Sequence, residues 1–154
     1  MADIDELKKK LEDGWIKGEP YVFVSYASKD KEKVYEFVYE LRKRGINVYI
    51  DIELQENWLQ NIKERLYDVD CVAMISFLSL NYFRSYACLI EQLVTRSEDL
   101  KMEKGKYLEN FYIALDDNMS TIQKMEEAVY YPPVYFDNRY EDEWIIDKRS
   151  IEII

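Results

Sequence analysis

The sequence predicts an α/β fold, a three-layer sandwich in which a five-stranded, mostly parallel sheet is covered by helices on both faces. Short β-rich runs alternate with segments of helical spacing along the whole chain. One run, residues 71–75, is apolar throughout, which predicts a central parallel strand buried on both faces. The length of 154 residues suits one compact domain. In such a sheet, ligands bind in the crevice at the carboxyl ends of the strands.

The first half of the chain supplies an N-terminal segment, two strands and two helices. Residues 1–19 predict an amphipathic helical segment or linker ahead of a domain spanning residues 20–154, because four apolar side chains recur at helical spacing: Ile4, Leu7, Leu11 and Trp15. Residues 21–25 predict the first strand, and Gly45 ends the helix after it. The second strand covers residues 46–51. We expect Asn57 to cap the next helix, whose predicted buried face consists of Trp58, Ile62, Leu66 and Val69.

The second half continues the alternation around the central strand. A helix from about residue 82 to about residue 96 follows that strand, and we expect it to bury Tyr82, Tyr86, Leu89 and Leu93. The remaining predicted elements are a strand at 110–115, a helix around 121–128, a fifth strand at 134–137 and a last helix around 141–148.

Composition excludes several classes of function. The chain has no histidine, which removes Ser-His-Asp catalysis, Cys-His catalysis and histidine-ligated zinc, and we expect no metal site. A net charge of -10 opposes binding to nucleic acid. The isolated Cys71 and Cys88 predict reduced, buried thiols. The sequence contains neither a membrane-length apolar run nor a signal-peptide pattern, so we expect a cytoplasmic protein without a membrane partner.

Two segments carry polar groups that a ligand could use. Residues 25–30 place hydroxyls and Lys29 before a helix N-terminus, which fits either an anionic group or simple capping by Ser28 or Asp30. Glu91 lies off the predicted buried face of its helix, beside the small side chains of Ala87 and Cys88. It either opens into a pocket or is an ordinary surface glutamate.

Four blocks of sequence, in register over about residues 20–140, resemble the TIR (Toll/interleukin-1 receptor homology) domain family, in its bacterial type. Residues 22–30 resemble the family's first strand and polar loop, and residues 41–51 resemble its helix, glycine and second strand. The third block is the helix that begins near Trp58. The fourth fits S-x-N-Y-x-x-S-x-W-C-x-x-E, with Ala87 in place of the tryptophan, through the matching residues Ser79, Asn81, Tyr82, Ser85, Cys88 and Glu91.

The resemblance implies a flavodoxin-like topology and an NAD+ nucleosidase. Many members of the family hydrolyse or cyclise NAD+ with the glutamate of the last motif, and others serve only as adaptors; the resemblance makes Glu91 the expected catalytic residue. NAD+ would be the substrate, so no cofactor is expected. The residues that we expect on this basis to bind or border the substrate are Ser25, Tyr26, Ala27, Ser28, Lys29, Asp51, Trp58, Ser79, Tyr82, Ala87 and Cys88.

The chemistry is consistent with one carboxylate, because cleavage builds oxocarbenium charge while the pyridinium leaves as a neutral ring. The resemblance also implies assembly with other TIR domains, as a homo-oligomer or filament, and a role in bacterial anti-phage defence. The alternatives are a non-catalytic scaffold acting through TIR–TIR contacts, which the alanine at position 87 favours, and a secreted effector of host signalling.

Overall fold

A parallel sheet forms the centre of the domain. The computed structural model describes residues 4–12, 14–52, 58–106 and 108–115. Within these ranges, four parallel strands run in the spatial order β2-β1-β3-β4: β1 (Tyr21–Ser25), β2 (Val48–Tyr49), β3 (Cys71–Leu78) and β4 (Glu109–Ala114). The predicted parallel α/β class is therefore confirmed. The predicted fifth strand, the helices around 121–128 and 141–148 and the cap at Asn57 lie outside the described residues.

Six helices accompany the strands in the described ranges. They are α1 (Ile4–Glu12), α2 (Lys31–Lys43), which a short 3-10 turn at Ser28–Asp30 precedes, α3 (Trp58–Tyr67), α4 (Leu80–Phe83), α5 (Tyr86–Thr95) and α6 (Glu98–Lys104). Helix α6, which Ser97 caps, was not predicted. None of these helices is long and apolar enough to cross a bilayer.

The strands alternate between two hydrophobic cores, one on each face of the sheet. In β1, Val24 packs into the core under α1 and α2, whereas Tyr21 and Phe23 face the core under α3 and α6. In β3, Phe77 and Met74 divide between the two faces in the same way. Helices cover both faces of the described sheet, as predicted.

Three local predictions were wrong. The second strand covers only Val48–Tyr49 and is shorter than residues 46–51; just before it, the Asn47 side chain bonds to the backbone of the loop at residues 16–20. Val69 is 87% exposed, because α3 ends at Tyr67. Val72 is 49% exposed, because the pairing of β1 with β3 shifts by one residue there and leaves it as the extra residue of a β-bulge.

Helix α1 packs on the domain through its apolar stripe. Leu7 and Leu11 are buried in the core that α2 and the sheet also form. Arg42 of α2 holds the end of α1 in place, donating from Nη1 to the carbonyl oxygen of Leu11 at 2.5 Å and from Nη2 to that of Val48 at 2.7 Å. The N-terminal segment therefore shares a core with the sheet.

We expect the Leu11→Ala substitution to lower the free energy of unfolding by about 2–4 kcal/mol, because it removes a fully buried side chain and leaves a cavity between α1 and α2. Denaturant unfolding measures this difference. The matched control is Lys9→Ala on the exposed side of the same helix, which should change stability by less than about 0.5 kcal/mol. Equal stabilities for the two variants would contradict the packing of α1 on the core.

Candidate active site

A break between two helices positions the last sequence motif. The predicted continuous helix over residues 82–96 is instead α4 and α5, separated at Arg84 and Ser85. Each helix has its own cap: Ser79 Oγ accepts from the backbone N–H of Tyr82, and Ser85 Oγ accepts from that of Cys88. The break changes which face of α5 is buried. Tyr86 is 59% exposed and Leu93 is also exposed, contrary to prediction, whereas Glu91 is only 7% exposed.

Glu91 lines a pocket at the carboxyl ends of β1 and β2. The pocket has a volume of about 170 Å³. Five residues predicted for the site line it, namely Tyr26, Ser28, Asp51, Ala87 and Glu91. The structure adds four lining residues that the prediction of the site did not include, Val24, Ile52, Ile62 and Ser85. A cavity of this size is enough for one aromatic ring, since cavities of about 150 Å³ hold benzene.

The environment of Glu91 favours retention of a proton. Burial raises the pKa of Glu91 to about 8; the hydrogen bond from Ser25 opposes this rise, and the charge of Asp51 adds to it. Ser25 Oγ donates to Glu91 Oε1 at 2.7 Å. A buried carboxyl group with a raised pKa at a pocket wall is a common feature of catalytic sites.

The loops after β1 and β2 are joined beside this pocket. The Tyr26 hydroxyl donates to the backbone carbonyl of Asp51 at 2.7 Å. Burial raises the pKa of Tyr26, so this hydroxyl stays a donor at neutral pH. The bond keeps Asp51 at the pocket, where its charge acts on Glu91.

A carboxylate clamp joins the loop after β1 to the segment after β3. Asp30 accepts from both matched polar residues of the S-x-N stretch: Ser79 Oγ donates to Oδ2 at 2.5 Å, and Asn81 Nδ2 donates to Oδ1 at 3.0 Å. Ser79 also caps α4, so its hydroxyl both donates to Asp30 and accepts from the backbone N–H of Tyr82. These contacts explain why the polar loop ends in an aspartate.

We expect Asp30→Ala to lower the free energy of unfolding by about 1–3 kcal/mol, because it leaves the buried Ser79 hydroxyl without its acceptor. Urea unfolding tests this, and Glu36→Ala, an exposed change within α2, serves as the control. A variant as stable as the control would show that the clamp contributes nothing.

The other predicted site residues do not line the pocket. Ser25 and Tyr82 are buried beneath Glu91, and Cys88 is buried on the same helix with a pKa raised by burial, so it carries a neutral thiol. Trp58 stacks edge-on against Tyr86, with ring centroids 6.2 Å apart. The positions of the rest differ: Ala27 is buried, Lys29 is exposed and Ser79 binds Asp30. Substrate contacts by these residues stay predictions.

Sequence reasoning missed two buried polar residues next to the site, Ser76 and Gln92. The signal was present in the sequence, since Ser76 interrupts an otherwise apolar strand and Gln92 lies within an apolar helix. Such residues are buried only with hydrogen-bond partners, and Gln92 Nε2 indeed donates to Ser76 Oγ at 2.8 Å.

In the described ranges, no three Cys, Asp or Glu side chains group as metal ligands.

One comparison with known proteins, the match to a family model, agrees with the motifs. A comparison with curated proteins gave no match. The family model described as "TIR domain" matches residues 22–143, which is most of the chain and includes all of β1 but Tyr21, the clamp and Glu91. With this match and a parallel α/β sheet in the order β2-β1-β3-β4, the chain belongs to the TIR domain family.

Proposed function

We propose that this TIR domain cleaves the N-glycosidic bond of NAD+, releasing nicotinamide and either ADP-ribose or a cyclic isomer. The observation that carries the proposal is the buried carboxyl group of Glu91 at the wall of a ring-sized pocket, held by a hydrogen bond from Ser25. The nicotinamide ring would occupy the pocket, and the rest of the dinucleotide would extend outside it, because 170 Å³ is too small for the whole molecule.

The charge of the substrate suits this environment. Burial raises the pKa of Glu91, so an empty pocket favours the neutral acid. A pyridinium ring brings a positive charge next to Glu91, and an opposite charge at close range favours the carboxylate. Entry of oxidised nicotinamide would therefore ionise the group that the reaction needs.

The reaction then requires one anionic group. The bond between C1′ of the ribose and the pyridinium nitrogen breaks, its electron pair leaves with the neutral nicotinamide, and C1′ becomes oxocarbenium-like. The Glu91 carboxylate stabilises that developing charge. Water adds to C1′ and releases a proton to the solvent to give ADP-ribose, whereas attack on C1′ by a nitrogen of the adenine ring, with release of one proton to the solvent, gives a cyclic product.

The small side chain at position 87 helps to leave room for the ring. Ala87 lines the pocket where the family pattern has an aromatic residue. The chain therefore lacks an aromatic side chain at this position that could stack on the ring, and the space beside Glu91 stays open.

The direct test incubates concentrated and artificially clustered protein with NAD+ and identifies products by chromatography and mass spectrometry. Nicotinamide accumulating in equal amount to an ADP-ribose product is the expected result. Turnover per protein molecule should rise on clustering if contacts with other TIR domains promote the reaction. NAD+ that stays intact under clustering would overturn the proposal.

The second candidate is a scaffold that acts through TIR–TIR contacts. The exposed apolar side chains on neighbouring helices favour it, namely Tyr86 and Leu93 of α5 and Leu59 of α3. Under this function the protein would self-associate but leave NAD+ intact in the same assay.

A further inference from the structure

A chain of buried side chains extends from Glu91 into the core. Ser25 Oγ lies 2.7 Å from both Glu91 Oε1 and the Tyr82 hydroxyl. The Tyr82 hydroxyl lies 2.9 Å from Gln92 Nε2, which also contacts Ser76 Oγ. All five residues are buried, so water does not replace these contacts. The chain thus links the pocket wall to the sheet.

The number of hydrogens fixes the direction of each bond when Glu91 is charged. A carboxylate only accepts, so the single hydroxyl hydrogen of Ser25 points to Glu91. Ser25 must then accept from Tyr82, whose one hydrogen is used in that bond. Tyr82 in turn accepts from the Gln92 amide, the only group of the three with a hydrogen to spare. Every donated hydrogen along this path points toward Glu91.

This direction matters because, among the residues that the structure describes, the groups that interact with Glu91 carry no positive charge. The titratable groups of this part of the chain that interact with it are Asp51 beyond β2, Tyr26 after β1, Tyr82 of α4 and Cys88 of α5. Asp51 opposes a second negative charge, and burial keeps the tyrosines and the thiol neutral. Within the described ranges, the carboxylate of Glu91 is therefore stabilised by hydrogen-bond donors and not by a positive charge.

We propose that Gln92, Tyr82 and Ser25 form a donor relay in which each residue orients the hydrogen of the next, so that Glu91 is held in place and stabilised as a carboxylate. The three are positioning residues, and Gln92, which touches neither the pocket nor Glu91 through its side-chain bonds, is its origin. A hydroxyl that accepts a hydrogen bond becomes a better donor, so the effect passes along the chain. The catalytic meaning of the relay rests on the proposed function; its action on Glu91 does not.

The test is an NMR titration of the Glu91 side-chain carboxyl carbon, assigned by its loss in Glu91→Gln. Removing donors should raise the pKa of Glu91. The rise should be smallest in Gln92→Leu, larger in Tyr82→Phe and largest in Ser25→Ala, which removes the direct donor. Each full pKa unit lowers the charged fraction at neutral pH about tenfold. The control is Thr95→Val, a buried polar change one turn further along α5; the Thr95 hydroxyl donates to the backbone carbonyl oxygen of Gln92, so the change leaves the side-chain bonds of the relay in place.

A folded Gln92→Leu protein in which Glu91 titrates as in the wild type would overturn the relay. Should that variant fail to fold, Tyr82→Phe keeps the shape of the side chain and decides the question in the same way. If NAD+ is cleaved, the acidic limb of the pH profile of kcat/KM should move to higher pH in the relay variants but not in Thr95→Val. Because the titration needs no substrate, it tests the relay separately from the activity. The expected shifts in a protein that leaves NAD+ intact would support the relay and refute only the proposed function.

Discussion

The Glu91→Gln protein should release nicotinamide from NAD+ at least about a hundredfold more slowly than the wild type. The substitution keeps the size of the side chain and leaves an oxygen that can accept from Ser25, but it removes the charge that the oxocarbenium-like transition state requires. Losing one placed electrostatic partner typically costs on the order of a hundredfold to a thousandfold in rate. The measurement is nicotinamide release under conditions of clustering, followed by chromatography.

The control for this experiment is Glu103→Gln, an equivalent change on the exposed surface of α6. It should match the wild type in rate, and both variants should retain self-association. A Glu91→Gln protein that releases nicotinamide at the wild-type rate would remove Glu91 from the mechanism.

The same substitution should change how stability depends on pH. Burial in the folded state raises the pKa of Glu91 from an ordinary value of 4.5 to about 8. A raised value means that the folded protein binds a proton that the unfolded chain has lost, so this contribution to stability is full below about pH 4.5 and disappears as pH rises through about 8. Within that window the wild type should lose up to about 1.4 kcal/mol for each pH unit.

Glutamine at position 91 has no proton to lose, so Glu91→Gln should become progressively more stable than the wild type as pH rises, and the difference should level off above about pH 8. Urea unfolding curves at several pH values measure it, and Glu103→Gln should follow the wild type throughout. A constant difference between Glu91→Gln and wild type would mean that Glu91 is not buried as a neutral acid.

The sheet could be predicted because its signals are local. The apolar run in β3 and the helical spacing that ends at Gly45 depend on neighbouring residues, and both elements form where the pattern indicates. The break before α5 was harder to foresee. Residues 82–96 have continuous helical spacing, although α4 ends at Phe83 and the hydroxyl of Ser85 caps the start of α5.

The candidate site could be predicted only in part. The motif identified Glu91, and five predicted residues line one pocket. Its burial could not be read from the sequence, because the break turns α5 and brings the carboxyl group against Ser25, 66 residues earlier in the chain. The bonds of Asp30 to Ser79 and Asn81 join residues about 50 positions apart, and one sequence contains no signal for such pairs.

The Asp30 clamp has a consequence for the entropy of ligand binding. A ligand that touches two independent loops must order both, and each immobilised side chain costs about 0.5–1.5 kcal/mol of affinity. Here the loop after β1 and the segment after β3 are already joined by both oxygens of one carboxylate. Folding has therefore already supplied that order, and a ligand entering beside Ser28 and Ser85 meets two walls that are fixed relative to each other. The clamp should therefore lower the entropy cost of binding any ligand between these two walls, although it does not contact the ligand itself.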